Sequence, residues 1–253
     1  MILFKGAATA LVTPFSEGQV DYDSLENLIE WQINEGIDAL VSCGTTGEAS
    51  TLSDEEQKSV VKFTVEKVGG RVPVIAGAGS NDTAHASELS KALADEGADG
   101  LLIVTPYYNK CSDSGLIKHF ETIADAVDIP LIAYSVPGRT GVNISPAVVS
   151  EISKHPNICG IKEASGNIAQ VVEISRYISD DFAMYSGNDE STVPLMSMGG
   201  LGVITTTGNI IPKDMQRILK RRCRGSASYA DRNEAFNRCD VLRGKSYSYK
   251  SSA

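Results

Sequence analysis

From residue 6 to residue 208 the chain alternates short apolar runs with longer stretches in which apolar residues recur at helical spacing. The short runs fall at 7–13, 39–43, 72–77, 100–105, 131–134, 159–162, 183–186 and 202–206, and each is predicted to be a strand. In the stretches between them, Leu25, Leu28, Ile29 and Ile33 make one apolar stripe, and Ile168, Val171, Val172 and Ile178 make another. Helix starts are marked as well. Ser53 with Glu56 reads as a capping box, and Ser145 followed by Pro146 puts a cap ahead of a proline at the first helical position.

Eight evenly spaced strands, seven intervening helices and an eighth helix begun at Pro212 predict an α/β fold of the (β/α)8 TIM-barrel type. An open doubly wound sheet fits less well, because no GxGxxG follows the first strand. The barrel gives the polar motifs a common address. Gly44-Thr45-Thr46-Gly47-Glu48, Thr105-Pro106-Tyr107-Tyr108-Asn109-Lys110, the stretch from Tyr134 to Gly141, and Gly160-Ile161-Lys162-Glu163-Ala164-Ser165-Gly166 all follow carboxyl ends of predicted strands. Such barrels build their active sites on that face.

Lys162 is the most informative of these positions. A lysine ending an apolar strand meets a low-dielectric wall that disfavours its ammonium form, so the amine is predicted to be a nucleophile suited to Schiff-base chemistry. The plainer reading is an ion pair with Glu163 or a solvated strand end. What favours the first is the convergence of the other strand-end motifs.

Composition narrows the picture further. The 253 residues suffice for one barrel domain, and 42% hydrophobic with 22% charged residues is ordinary for a soluble globular chain. A net charge of −9 argues against a nucleic-acid partner. No apolar run approaches a membrane span and the opening residues are too short for a signal peptide, so a cytoplasmic protein is expected. Cys43, Cys111, Cys159, Cys223 and Cys239 lack CxxC spacing, and His85, His119 and His155 lack HExxH spacing, so neither disulfides nor a metal site are expected.

Five motifs taken in order, GTTGE at 44–48, TPYYNK at 105–110, YSVPGRTG at 134–141, KEASGN at 162–167 and YSGND at 185–189, resemble the dihydrodipicolinate synthase family across residues 3 to about 218. The resemblance implies a lyase of diaminopimelate and lysine biosynthesis that condenses pyruvate with aspartate 4-semialdehyde and uses no cofactor beyond a covalent imine. Lys162 would carry that imine. Tyr134, Thr45 and Tyr108 would form a hydroxyl relay, with the tyrosine matching Tyr108 arriving from a neighbouring subunit, as in the homotetramers that the family implies. Arg139 would hold the carboxylate of the second substrate, Thr46 that of pyruvate, while Gly187 and Ile204 would line the pocket floor. Glu163 is expected to orient or balance charge near Lys162. The rival readings are another pyruvate aldolase, of the N-acetylneuraminate or 2-keto-3-deoxy-sugar-acid type, and an inactive product. Arg139, aimed at a second carboxylate, argues against a sugar-acid site.

Departures from the pattern are also legible. Ser135 stands where the family usually has asparagine, and Thr205-Thr206-Thr207-Gly208 replaces a more usual run after the eighth strand. Both are expected to affect packing rather than chemistry. At the feedback-lysine site of regulated members the matching positions are Asp54, Gln57 and His85, with Asn81 and Tyr107 retained; loss of the usual glutamate predicts little lysine inhibition.

The charge changes sign along the chain. Residues 213–253 hold 11 basic and 4 acidic side chains, against 12 and 28 in residues 1–212. The barrel domain is therefore assigned to 1–219 and an aberrant basic tail, replacing the family's C-terminal helices, to 220–253. With freely chosen codons, residues 231–252 read one base later contain FCEVNPIP, which resembles the family's own C-terminal stretch. The tail is accordingly predicted to be frameshifted, which sets the homotetramer in doubt.

Overall fold

The computed structural model describes residues 2–223. Its eight parallel strands are β1 (Gly6–Ala10), β2 (Ala39–Ser42), β3 (Val74–Gly77), β4 (Gly100–Val104), β5 (Leu131–Ser135), β6 (Ile158–Glu163), β7 (Ala183–Ser186) and β8 (Gly202–Thr205), closed in that order into a barrel. The predicted (β/α)8 TIM barrel is thus the observed fold. All eight predicted runs contain a strand, and the first differs most. It leaves the ladder early, because the Val12 amide donates to the Asn209 side chain at 3.2 Å instead of to a neighbouring strand. A two-residue hairpin, Phe15–Ser16 against Gln19–Val20, follows and was not anticipated. Its turn places Glu17 and Gly18 at φ 52° and 81°, the left-handed pair that tight hairpins use.

The helices on the outside are α1 (Tyr22–Asn34), α2 (Asp54–Val68), α3 (Thr83–Asp95), α4 (Asp113–Ala124), α5 (Pro146–Ile152), α6 (Ile168–Ile174), α7 (Thr192–Ser197) and α8 (Pro212–Cys223). Both predicted caps are present. The Ser53 hydroxyl accepts the Glu56 amide at 3.3 Å while Glu56 accepts the Ser53 amide at 2.8 Å, and Ser145 accepts the Val148 amide. In α1, Leu25 and Ile29 are fully buried, as the stripe predicts. In α6 the inward face is instead Gln170, Val171 and Ile174, with Ile168 exposed. A polar residue holds that face because its amide has buried partners, described below, and the helix ends before Ile178, which packs from beyond it.

Two apolar layers result. Alternate strand residues, among them Ala8, Val41, Ile75, Ile132, Tyr134, Tyr185 and Ile204, fill the barrel, while the others pack outward against the helices. Phe4 plugs the amino-terminal end. Its ring stacks on Tyr185 at 4.4 Å, and its carbonyl accepts the Tyr185 hydroxyl at 2.8 Å.

Closure depends on β1 meeting β8. Gly6 pairs with Gly202, and a Cβ built on Gly202 would lie 1.8 Å from the Gly6 carbonyl oxygen, so no other residue fits without parting the strands. Gln32 of α1 ties the seam by accepting from Thr9 at 2.7 Å and donating to the Gly208 carbonyl at 2.8 Å. Helix α8 covers the seam through buried Met215 and Leu219, and Gln216 donates to Asp38, which also accepts the Ala7 amide. The helix runs on through the start of the basic segment to Cys223, past the proposed boundary at 219. The rest of the assigned tail, with its frameshift reading, lies outside the described residues.

Replacing Gly202 by Ala is expected to destabilise the barrel by about 3 kcal/mol or more, since the added methyl overlaps backbone that cannot retreat. Gly138→Ala, with open space around its Cβ position, is expected to cost less than about 1 kcal/mol. Denaturant midpoints compare the two; equal losses would show that the seam tolerates separation.

Candidate active site

Lys162 projects from β6 into the barrel, next to Tyr134 of β5 and Tyr185 of β7 in strand register. It is 6% exposed, and its amine lies 4.2 Å from the centroid of the Tyr134 ring. Burial brings the ammonium down to about 7, with a smaller push downward from Arg139 opposed by Asp189. The amine is therefore substantially neutral near neutral pH. Gly187 makes room for it, because a Cβ there would stand 3.1 Å from Lys162 Cε and 2.7 Å from the Ala164 methyl.

The adjacent Glu163 does not serve Lys162 as expected. Successive strand residues face opposite sides, so its carboxylate turns out toward α6, where it accepts from the Ser165 amide at 2.7 Å and the Gln170 amide at 3.1 Å. Desolvation raises this buried carboxyl, and the hydrogen bonds oppose that rise. Gln170 continues to Asn143 at 2.7 Å, and Ser135 donates to Asn143 while accepting the Ile144 amide. This network clamps the ends of β5 and β6 from outside the barrel.

The cavity at the carboxyl end of the barrel has a volume of about 910 Å³. Thr45, Tyr134, Tyr108 and Arg139 all line it. Tyr134 is 8% exposed; desolvation raises its phenol and Arg139 lowers it. Arg139 sits in the helical turn Pro137–Thr140, held by Thr140, whose hydroxyl donates to Val142. Thr46 forms a hydroxyl pair with Thr206 at 2.9 Å, across the β1 strand that separates their own strands. Ile204 is buried in the barrel interior with Tyr134 and Tyr185. Tyr108 stands apart. It is 88% exposed at φ 73°, and among the described residues no hydrogen bond joins it to Tyr134 or Thr45.

Two hydrogen-bonded links around the site were not foreseen. The Thr205–Gly208 run ties neighbouring turns together, because Thr206 bonds Thr46 and the Thr207 hydroxyl donates to Asp189. Near the outer cavity wall Asp54, one of the positions matched to the feedback-lysine site, accepts from His85 Nε2 at 2.9 Å. Cys43 and Cys159 are buried free thiols that burial pushes up to about 12, and Cys111 is an exposed one. Among the described residues, no group of three or more His, Cys, Asp or Glu is placed to hold a metal ion, and no helix is long and apolar enough to cross a membrane.

A model of the dihydrodipicolinate synthetase family matches residues 3–240. The chain belongs to that family. It is 54% identical over 231 residues to a 4-hydroxy-tetrahydrodipicolinate synthase of Thermoanaerobacter sp. (strain X514), covering 91% of this chain and 78% of the relative. An enzyme of the same name from Acetivibrio thermocellus is 55% identical over 217 residues, 86% of this chain and 74% of that one. The crystal structure of dihydrodipicolinate synthase from Aquifex aeolicus superposes with a TM-score of 0.85 at 40% identity, covering 95% of this chain and 82% of that one. Family membership accounts for the barrel and for the order of the five motifs.

Burying a lysine costs stability, and the sign of its pH dependence follows from its lowered value. Between about 7 and the ordinary 10.5 the unfolded chain binds the proton that the folded chain has lost, so this penalty shrinks as pH rises. Lys162→Met is expected to stabilise the fold by about 3 kcal/mol at pH 6, with the advantage fading toward pH 10. Melting temperatures of both proteins at pH 6, 8 and 10 check this. A constant difference would mean that the amine is solvated.

Proposed function

We propose that this chain is a lyase that condenses pyruvate with aspartate 4-semialdehyde through a lysine Schiff base, the reaction of 4-hydroxy-tetrahydrodipicolinate synthase. The observation that carries the reading is the buried Lys162 amine, brought down to about 7 and facing Tyr134, beside a cavity rimmed by Arg139. Lys162 Nζ attacks the pyruvate ketone and loses water, giving a protonated imine; loss of a methyl proton then gives the enamine. The enamine carbon attacks the aldehyde, whose oxygen takes a proton relayed by Tyr134 and Thr45. The substrate's own amine finally displaces Lys162 from the imine carbon and closes the ring.

Each flanking residue has a matching task in this reading. Thr46, oriented by Thr206, binds the pyruvate carboxylate, and Gly187 and Ile204 shape the floor beside the imine. Arg139, exposed at the mouth, presents a planar guanidinium to the carboxylate of the second substrate. Tyr108 would complete the relay only by entering the site of another copy, which its outward ring suits. The chemistry uses protein groups alone, with no cofactor beyond the covalent imine. An aldolase acting on sugar acids has less support, because a guanidinium at the mouth matches a second carboxylate better than an array of hydroxyls.

Borohydride added with pyruvate is expected to leave a reduced adduct on Lys162, read by peptide mass. A folded protein without adduct would overturn the Schiff-base reading. Arg139→Ala is expected to lower kcat/KM for aspartate semialdehyde by about 100-fold while changing pyruvate trapping less than about threefold. Equal losses in both steps would give Arg139 a structural role.

A further inference from the structure

The hydrogen-bonded chain behind β5 and β6 stands one residue away from the reacting pair. Tyr134 is the register partner of Lys162, and Ser135 is the register partner of Glu163, so the last pair of the ladder directly follows the pair that faces the cavity. Backbone bonds hold this end over a short length only. The register is broken between Leu131 and Ile132, which leaves the pairs from Ile132 to Ser135 and a closing bond from the Ala164 amide to the Ser135 carbonyl at 2.9 Å. A strand end without further backbone partners is where a ladder opens first.

Side chains take over where the ladder stops, and Gln170, buried in the first turn of α6, is the link between the two strands. Its Nε2 donates to Glu163 Oε2 at 3.1 Å and to Asn143 Oδ1 at 3.2 Å, while its Oε1 accepts from Asn143 Nδ2 at 2.7 Å. Asn143 accepts in turn from Ser135, and the Ser165 amide occupies the other Glu163 oxygen at 2.7 Å. Both hydrogens and the oxygen of the Gln170 amide are thereby used. Its orientation is fixed as well, because the amide turned over would set its oxygen against the Glu163 carboxylate. An apolar residue would suit the inward stripe of α6 at this position, so the buried amide answers to the strand ends rather than to the core.

We propose that Gln170 is a positioning residue for the reaction, which keeps the Lys162 amine in reach of the Tyr134 hydroxyl by fixing the strand ends one residue beyond each. The inference rests on the Schiff-base reading above. When the imine forms, the C–O bond of the carbinolamine breaks as the nitrogen lone pair makes the C=N bond. The departing hydroxyl takes the Tyr134 proton and leaves as water, with the positive charge on nitrogen and the negative charge on the phenol oxygen. The amine lies 4.2 Å from the Tyr134 ring centroid, and misplacing groups that must exchange a proton by about 1 Å costs about 100-fold in rate. Gln170 touches neither substrate nor amine; it acts through the backbone of Glu163 and Ser135. Thr46, which binds pyruvate in the same reading, follows β2 and lies outside this clamp.

The test compares kcat, the pyruvate KM and the melting temperature in variants that remain folded at the assay temperature. Gln170→Leu, which fills much of the same space without the amide, is expected to lower kcat about tenfold while the pyruvate KM changes less than about twofold. Glu163→Gln, which sets amide against amide, is expected to act in the same way. Adding Gln170→Glu to Glu163→Gln restores a donor facing an acceptor with the polarity reversed, and is expected to bring kcat back to within about threefold of the original. Asn143→Ala, at a half-buried position, cuts only the link to Ser135; a smaller fall in kcat is expected, and this variant carries the test where the buried ones do not fold. A lowered melting temperature with kcat unchanged in the folded variants would make the network purely structural and overturn the proposal, as would a raised KM with kcat intact. No wild-type adduct on Lys162 after pyruvate and borohydride would instead overturn the Schiff-base reading on which it stands.

Discussion

Desolvation of the Lys162 amine requires a closed ring of strands, because only closure puts apolar side chains on every side of a residue at a strand end. In an open sheet the same lysine would reach water past a free edge and keep its ammonium near the ordinary value. The barrel is therefore more than a scaffold for loops. It supplies the low-dielectric surroundings that make an amine nucleophilic, and the contact of Gly6 with Gly202 completes them. Gln32, Asn209 and Met215 each hold that seam from a different element, so the reactivity of Lys162 depends on residues far along the chain from it.

Alternation along β6 divides the work between two faces. Lys162 turns inward and is given few partners, whereas Glu163 turns outward and is given several. The Glu163, Gln170, Asn143 and Ser135 chain fixes the ends of β5 and β6 by hydrogen bonds that never enter the cavity. Rigidity at the strand ends is thereby obtained without placing the Glu163 carboxylate against the Lys162 amine. A direct pair between Lys162 and Glu163 would have supported the ammonium and suppressed the chemistry.

Most of the fold was legible because buried parallel strands are written as contiguous apolar runs, and because caps such as Ser53 and Ser145 are local signals. Residues of the site carried by motif, including Lys162, Tyr134, Thr45 and Arg139, do converge on one end of the barrel. Side-chain direction was harder to read. Glu163 was expected beside the amine because it is next in sequence, although the pleat sends neighbours to opposite faces. Gln170 interrupted an apolar stripe for a reason that lies in β6, and the link from Thr207 to Asp189 joins turns after two different strands. Periodicity cannot show such bonds, since their partners are set by barrel register.

Arg139 connects the two titrating groups at the centre of the site. Its charge lowers the Lys162 ammonium and also lowers the Tyr134 phenol, so one cation favours a neutral amine and an ionised phenol at once. Burial acts on the pair differently, lowering the amine and raising the phenol, which makes the phenol a proton holder in the resting site. A proton relay needs such an imbalance to be small enough to reverse. The guanidinium shifts both groups in the same direction from the mouth of the cavity, so it moves the pair without setting the difference between them. Neutralising Arg139 would raise both groups through the same charge, leaving Tyr134 the protonated phenol that it already is in the resting site.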